Sequence, residues 1–167
     1  MEYRLGKRSV KKLGTVDERL QRVVRGAIKV TDQDFSVICG IRTKAEQTKL
    51  VASGASQTMK SKHLDGLAVD LMAYSGGGGG RWELNLYDEI ADAMKASAKA
   101  EGVQLRWGAA WTIKDFAAWS GATLKFKNNW TVEYSASAED AMNSYVDTRR
   151  DQGRRPFIDA PHFELIV

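Results

Sequence analysis

Ser61-Lys62-His63-Leu64-Asp65-Gly66-Leu67-Ala68-Val69-Asp70 is the stretch that decides how this chain is read. Its second half runs into Leu67-Ala68-Val69-Asp70-Leu71, short and apolar enough to predict a buried strand. His63 stands seven residues before Asp70, too far apart for one helical turn. The two side chains converge if His63 closes a loop and Asp70 rides on the strand that follows. Gly66, between them, permits the tight turn this requires.

Working outward, the chain holds one other histidine, in Asp159-Ala160-Pro161-His162-Phe163-Glu164. A final strand is predicted from His162 to Val167. Its alternation puts Phe163, Leu165 and Val167 on one face and His162 with Glu164 on the other, where they can line a cleft. Hydrolytic zinc sites take three protein ligands from His and Asp or Glu and leave a fourth position open. Two imidazoles and one carboxylate meet that need. Spacing alone leaves two readings open, a metal centre or two hydrogen-bonded structural histidines.

The remaining elements are mixed. Val16, Leu20, Val23, Val24, Ala27 and Ile28 recur at helical spacing, with Thr15 and Glu18 in the form of a capping box. Asp34 to Cys39 alternates like a strand, and Gly40-Ile41-Arg42 turns the chain. Thr43 with Glu46 predicts a second capped helix that ends before Gly54. A long helix is expected from Glu83 to Glu101, closed by Gly102, then a strand from Val103 to Trp107 and a helix over 137–152. The run Gly76 to Gly80 cannot pack and reads as a loop. Strands and helices do not alternate regularly, so the expected fold class is α+β, a small antiparallel sheet flanked by helices.

Composition sets bounds. At 167 residues, 43% hydrophobic and 28% charged, the chain has the size and balance of one globular domain. The single cysteine, Cys39, forms no internal disulfide and reads as a buried structural thiol. No segment approaches the roughly 20 apolar residues of a membrane span. The charged N-terminal stretch lacks the apolar core of a signal peptide, so the expectation is a protein made in the cytoplasm and let out by some other agent. The net charge of +4 suits an anionic wall, a membrane surface or nucleic acid. Lys125-Phe126-Lys127-Asn128-Asn129-Trp130 would fit a nucleic-acid groove, but without a binding motif no nucleic-acid partner is expected.

Ser61-x-His63-x-x-Gly66-x-Ala68-x-Asp70, with Asp159-x-x-His162-Phe163-Glu164 far downstream, resembles the signature of one zinc peptidase family. That family contains phage L-alanyl-D-glutamate endolysins, the D-alanyl-D-alanine carboxypeptidases and dipeptidases of vancomycin resistance, and, as a relative, the hedgehog signalling domain. Gly40-Ile41-Arg42-Thr43 is similar to its arginine motif and Leu105-Arg106-Trp107-Gly108-Ala109-Ala110-Trp111 to its Trp-Gly segment. The resemblance implies the hedgehog-like zinc peptidase fold, with Zn2+ on His63, Asp70 and His162. It implies Asp159 as the general base that takes a proton from the attacking water and passes it to the leaving amine. Arg42 would stabilise charge on the scissile carbonyl or hold a substrate carbonyl, and Ser61 would help bind substrate.

The implied activity is hydrolysis of the L-alanyl-D-glutamate bond in peptidoglycan stem peptides, by a monomer released through a holin-type membrane lesion. The alternatives are a D-alanyl-D-alanine carboxypeptidase or dipeptidase, and a zinc-stabilised binding module without catalysis; Asp159 argues against the last. Two departures stand out. Ala110 occupies a position that is acidic in many phage relatives. Residues 112–155 are longer than expected and read as an insertion within a single domain spanning 1–167, one that covers part of the cleft or extends the substrate surface.

Overall fold

The computed structural model describes residues 2–167. Its elements are α1 (Lys7–Leu13), α2 (Glu18–Val30), β1 (Phe35–Cys39), α3 (Lys44–Ala52), β2 (Ala68–Ser75), β3 (Gly79–Arg81), α4 (Leu84–Glu101), β4 (Leu105–Trp107), β5 (Ala122–Lys125), β6 (Thr131–Tyr134), α5 (Ala138–Asp151) and β7 (His162–Leu165). Among the described residues, five helices and two antiparallel sheets make the expected α+β class.

The main sheet runs β1-β2-β7-β4, and β3 also pairs with β2. One edge of β2 takes β1, and the other is shared, its first half by β7 and its second half by β3. Strand alternation sends Phe35, Val37, Val69, Leu71, Ala73, Leu105, Trp107, Phe163 and Leu165 to one face, where all are buried. α2 and α4 cover that face with Leu20, Val23, Val24, Ala27, Ile90, Ala91 and Met94. Each fully buried Leu, Ile or Val contributes about 1.5–3 kcal/mol of transfer free energy. Ser97 on α4 donates its hydroxyl to the Val23 carbonyl at 2.6 Å, which ties the two helices together.

Several local expectations need correction. Thr15 does not cap α2. Gly14 to Val16 form a turn, so the helix opens later, and Asp17 accepts the Arg19 amide at 2.9 Å as the cap. The Thr15 hydroxyl instead donates to Lys12 O and accepts from the Ile41 amide. α1, unforeseen in the charged N-terminal stretch, packs on β1 through Leu13 and through Ser9, whose hydroxyl accepts the Val37 amide. The glycine run is not all loop, because Gly79 and Gly80 pair with β2. The last strand stops at Leu165, and Val167 is exposed. The capping box at Thr43 and Glu46 is present in full.

Residues 112–155 form a 3₁₀ turn, the β5–β6 hairpin and α5. Phe116, Tyr134, Ala138, Ala141 and Tyr145 join the buried set, while Trp130 at the hairpin tip is exposed. Among the described residues, no helix is long and apolar enough to cross a membrane.

Candidate metal centre and its cleft

The second face of the sheet carries the chemistry. Register puts Asp70 of β2 directly opposite His162 of β7 on one side and opposite Cys39 of β1 on the other. His63 arrives from a 3₁₀ turn, Lys62–Asp65, just before β2. Ser61 caps this turn by accepting the His63 amide, and Gly66 ends it at φ 67°, a left-handed conformation that suits glycine.

The three side chains meet. His63 Nε2 lies 3.1 Å from Asp70 Oδ1 and 3.2 Å from His162 Nδ1, and His162 Nδ1 lies 3.3 Å from Asp70 Oδ1. Their outer atoms fix what the inner atoms offer. His63 Nδ1 is 2.7 Å from the Gly40 carbonyl, an acceptor only, so this nitrogen carries the proton. His162 Nε2 is 2.8 Å from the Glu164 carboxylate, so that nitrogen donates too. In the neutral imidazoles, Nε2 of His63 and Nδ1 of His162 are therefore lone pairs, and both aim at a third on Asp70. Three lone pairs at this separation repel unless a cation lies among them. A tetrahedral ion with bonds of about 2.0–2.1 Å has ligand-to-ligand edges of about 3.3–3.4 Å, close to the observed triangle. The set fits zinc in atom type, geometry and supporting hydrogen bonds.

Beside this triangle, two overlapping groups among the described residues also lie close enough to share an ion, Cys39–His63–Asp70 and Asp70–Asp159–His162. The first is less suited to a cation on its outer side. There the Arg42 guanidinium donates to Cys39 Sγ at 3.4 Å and to Asp70 Oδ2 at 3.2 Å, and Gly40 already occupies His63 Nδ1. Cys39 is thus not the inert core thiol its apolar run suggests. It is half-buried and beside His63 and Arg42; burial pushes its pKa up, but the hydrogen bond and charge of His63 together with the charge of Arg42 bring it below the ordinary value.

Without an ion, protons gather at the triangle. Burial opposes charge on both imidazoles, but the Asp70 carboxylate prevails, aided by Cys39 at His63 and by Glu164 at His162. The pKa values rise to about 10 and about 9. Burial also favours neutral Asp70, yet the two imidazoles hold its carboxyl well below the usual range.

Asp159 comes from the loop before β7, with its carboxylate near Asp70 and His162. Gly108 holds that loop: its amide donates to His162 O, and its carbonyl accepts the Asp159 amide, each at 2.8 Å. A Cβ on Gly108 would sit 2.2 Å from the Asp159 carbonyl oxygen, so only glycine fits. Burial, then the charge of Asp70, raises the Asp159 pKa against the pull of the imidazoles and Arg42. Arg42 donates Nη1 to the fully buried Gln47 at 2.6 Å, and Gln47 is in turn anchored on Thr58 O and Ser56. Gln47 lies outside every motif read from the sequence.

These groups open into a cleft of about 720 Å³. Trp111 forms part of its wall, with its ring centred 5.5 Å from that of His162. Ala110 is fully buried in the core and does not line the cleft. From residues 112–155, Tyr145, Arg149, Arg154 and Arg155 do.

The chain is similar to known peptidases. The L-alanyl-D-glutamate peptidase of Escherichia phage T5 is 36% identical over 114 residues, 66% of this chain and 83% of that protein. The crystal structure of the Serratia marcescens L-Ala D-Glu endopeptidase ChiX superposes with a TM-score of 0.65 at 29% identity, covering 99% of this chain and 92% of the other. A model of the phage L-alanyl-D-glutamate peptidase family matches residues 1–118, the part that holds Arg42, Ser61, His63 and Asp70. The chain belongs to the phage L-alanyl-D-glutamate peptidase family.

Proposed function

We infer that this protein hydrolyses the L-alanyl-D-glutamate bond of peptidoglycan stem peptides, with zinc held by His63, Asp70 and His162. The observation that carries the reading is the convergence of three lone pairs, each backed by a fixed outer hydrogen bond, at the floor of an open cleft. Family membership supplies the substrate. When bound, zinc acts as a Lewis acid on the peptide carbonyl and makes water acidic enough to lose a proton near neutral pH.

The protein groups do the rest. Asp159, beside Asp70 and His162, accepts the proton of the attacking water as oxygen bonds to the carbonyl carbon. It then delivers that proton to the glutamate nitrogen as the C–N bond breaks. Arg42 fixes Asp70 through Oδ2 and lines the cleft, where its charge would stabilise a substrate carbonyl oxygen. Glu164 sets the tautomer of His162. Ser61 shapes the His63 turn and borders the substrate. The expected setting is the cell wall, reached through a membrane lesion, with the enzyme acting as a monomer on a single domain into which residues 112–155 are inserted.

Asp159→Ala tests the assignment. Cleavage of purified walls should fall about 10²–10⁴-fold, while the variant still binds one equivalent of zinc. Mass spectrometry should find new N-terminal glutamate in wild-type digests. Released D-alanine instead would mark a carboxypeptidase, and full activity in the variant would remove Asp159 from the mechanism.

A further inference from the structure

Beside the metal centre, the cleft has a wall of positive charge that the reaction chemistry leaves unused. It is built from Arg106 on β4, Arg149 in the last turn of α5, and Arg154 and Arg155 just beyond it. None of the four is ion-paired among the described residues. Arg149 donates to Gln152 at 3.1 Å and lies over the Tyr145 ring, both neutral groups. Arg106 donates to the Trp111 carbonyl at 2.8 Å and lies over its ring, while its Nε is buried with no acceptor. Of the acidic residues of the cleft, Asp70 and Asp159 lie beside the imidazoles, and Glu164, which stands opposite Arg106 in the β4–β7 register, gives its carboxylate to His162 at 2.8 Å and makes no ion pair with Arg106.

The backbone that carries part of the wall is held in place, with the Arg154 and Arg155 side chains exposed. After Gly153 turns the chain at φ 69°, the Arg154 amide donates to Arg149 O at 2.8 Å. Two residues past Arg155, Phe157 is fastened at both backbone atoms by the Tyr145 hydroxyl. Asp159 follows two residues later, so Arg155 and Asp159 are at most about 14 Å apart along the chain. Guanidinium groups are the side chains best matched to carboxylates, which they bind through paired hydrogen bonds.

We propose that Arg149, Arg154 and Arg155, with Arg106, form a specificity subsite for the free carboxylate of the glutamate on the leaving side of the scissile bond. Glutamate has two carboxyl groups. One continues the stem peptide, and the other is either a free acid or an amide. The subsite accepts the acid and discriminates against the amide, which carries no charge. This inference rests on the peptidase reading above.

Two synthetic stem peptides test it, identical except that the free glutamate carboxylate of one is amidated. The zinc-loaded wild type should cut the acid with a kcat/KM roughly 10- to 100-fold above that for the amide, the range set by hydrogen bonds to charged groups. R149Q/R154Q/R155Q should lose that factor on the acid and change less than about threefold on the amide. Single Arg→Gln variants should divide the loss among them, and they serve as the test if the triple variant melts early. Equal cleavage of both peptides by wild type overturns the subsite. So does an equal loss on both peptides in the variants, which would mark a general attraction to anionic walls. If zinc-loaded wild type cuts neither peptide, the peptidase reading fails and the subsite falls with it.

Discussion

Glu164→Ala isolates the support behind the metal centre. Glu164 is buried and accepts the His162 Nε2–H at 2.8 Å, which leaves Nδ1 as the lone pair facing His63 and Asp70. Removing the acceptor strands a buried N–H, at a cost of about 1–3 kcal/mol. Loss of such an outer partner lowers metal affinity by about 10- to 100-fold, or about 1.4–2.7 kcal/mol, so the two routes agree. The consequence can be read in melting curves. At zinc equal to about 100 times the wild-type Kd, binding stabilises the wild type by about 2.7 kcal/mol. A tenfold weaker site retains about 1.4 kcal/mol and a hundredfold weaker one about 0.4 kcal/mol. At about 2–4 °C per kcal/mol for a chain this size, a zinc-induced rise of about 5–11 °C shrinks to about 1–6 °C. Comparing each protein with its own chelated form removes the separate loss of the Glu164 contact from the metal-free state. Glu164→Gln keeps an acceptor and should lie between. A zinc-induced rise in Glu164→Ala equal to that of wild type would refute the argument that Glu164 orients His162 for a metal.

The metal-free protein should show the signature of trapped protons. The pKa values of His63 and His162 are raised above 6.5, to about 10 and about 9, so their stabilising contribution is full below pH 6.5 and is lost as pH rises through those values. Asp70 is lowered, so its contribution holds above its ordinary value of 3.8 and fades as pH falls below that. Melting in chelator should therefore be highest between about pH 4 and 6.5 and decline toward pH 10, with zinc flattening the alkaline decline; a Tm constant from pH 7 to 10 in chelator would contradict this. Two imidazolium charges 3.2 Å apart oppose one another, yet both pKa values lie above 7, so at pH 7 the pair carries at least one proton beyond its two outer N–H groups, and zinc must displace it. Titration calorimetry in buffers of different ionisation enthalpy should then find proton release, and a heat independent of buffer would count against it. Gly108→Ala should lower stability by about 1–3 kcal/mol through overpacking against the Asp159 loop and reduce turnover out of proportion to zinc binding; normal stability and turnover would show that the loop is not held where it is described.

The parts of the fold legible in the sequence are those with a local physical cause. α2, α4 and α5 show apolar positions three and four apart, and most of these become buried, though Leu84 at the start of α4 is exposed and Met142 and Val146 of α5 are only partly covered. Thr43 and Glu46 make a capping box from four residues alone. Other features depend on contacts that no short window contains. α1 is mostly charged and is helical because Leu13 and Ser9 find β1. Thr15 has the form of a cap but is claimed by Lys12 and Ile41. Gly79 and Gly80 have no strand propensity and pair because β2 extends past β7 and leaves an edge for them. The centre divides the same way. The face shared by His162 and Glu164 follows from a period of two, but contact between Asp70 and His162, 92 residues apart, is a matter of register. A slip of one residue would send every side chain of β7 to the opposite face. Phe163 and Leu165 bury against Trp107 and the helices, and that burial is what forbids the slip. The hydrophobic face of the sheet therefore fixes the register that brings the three lone pairs together on the polar one.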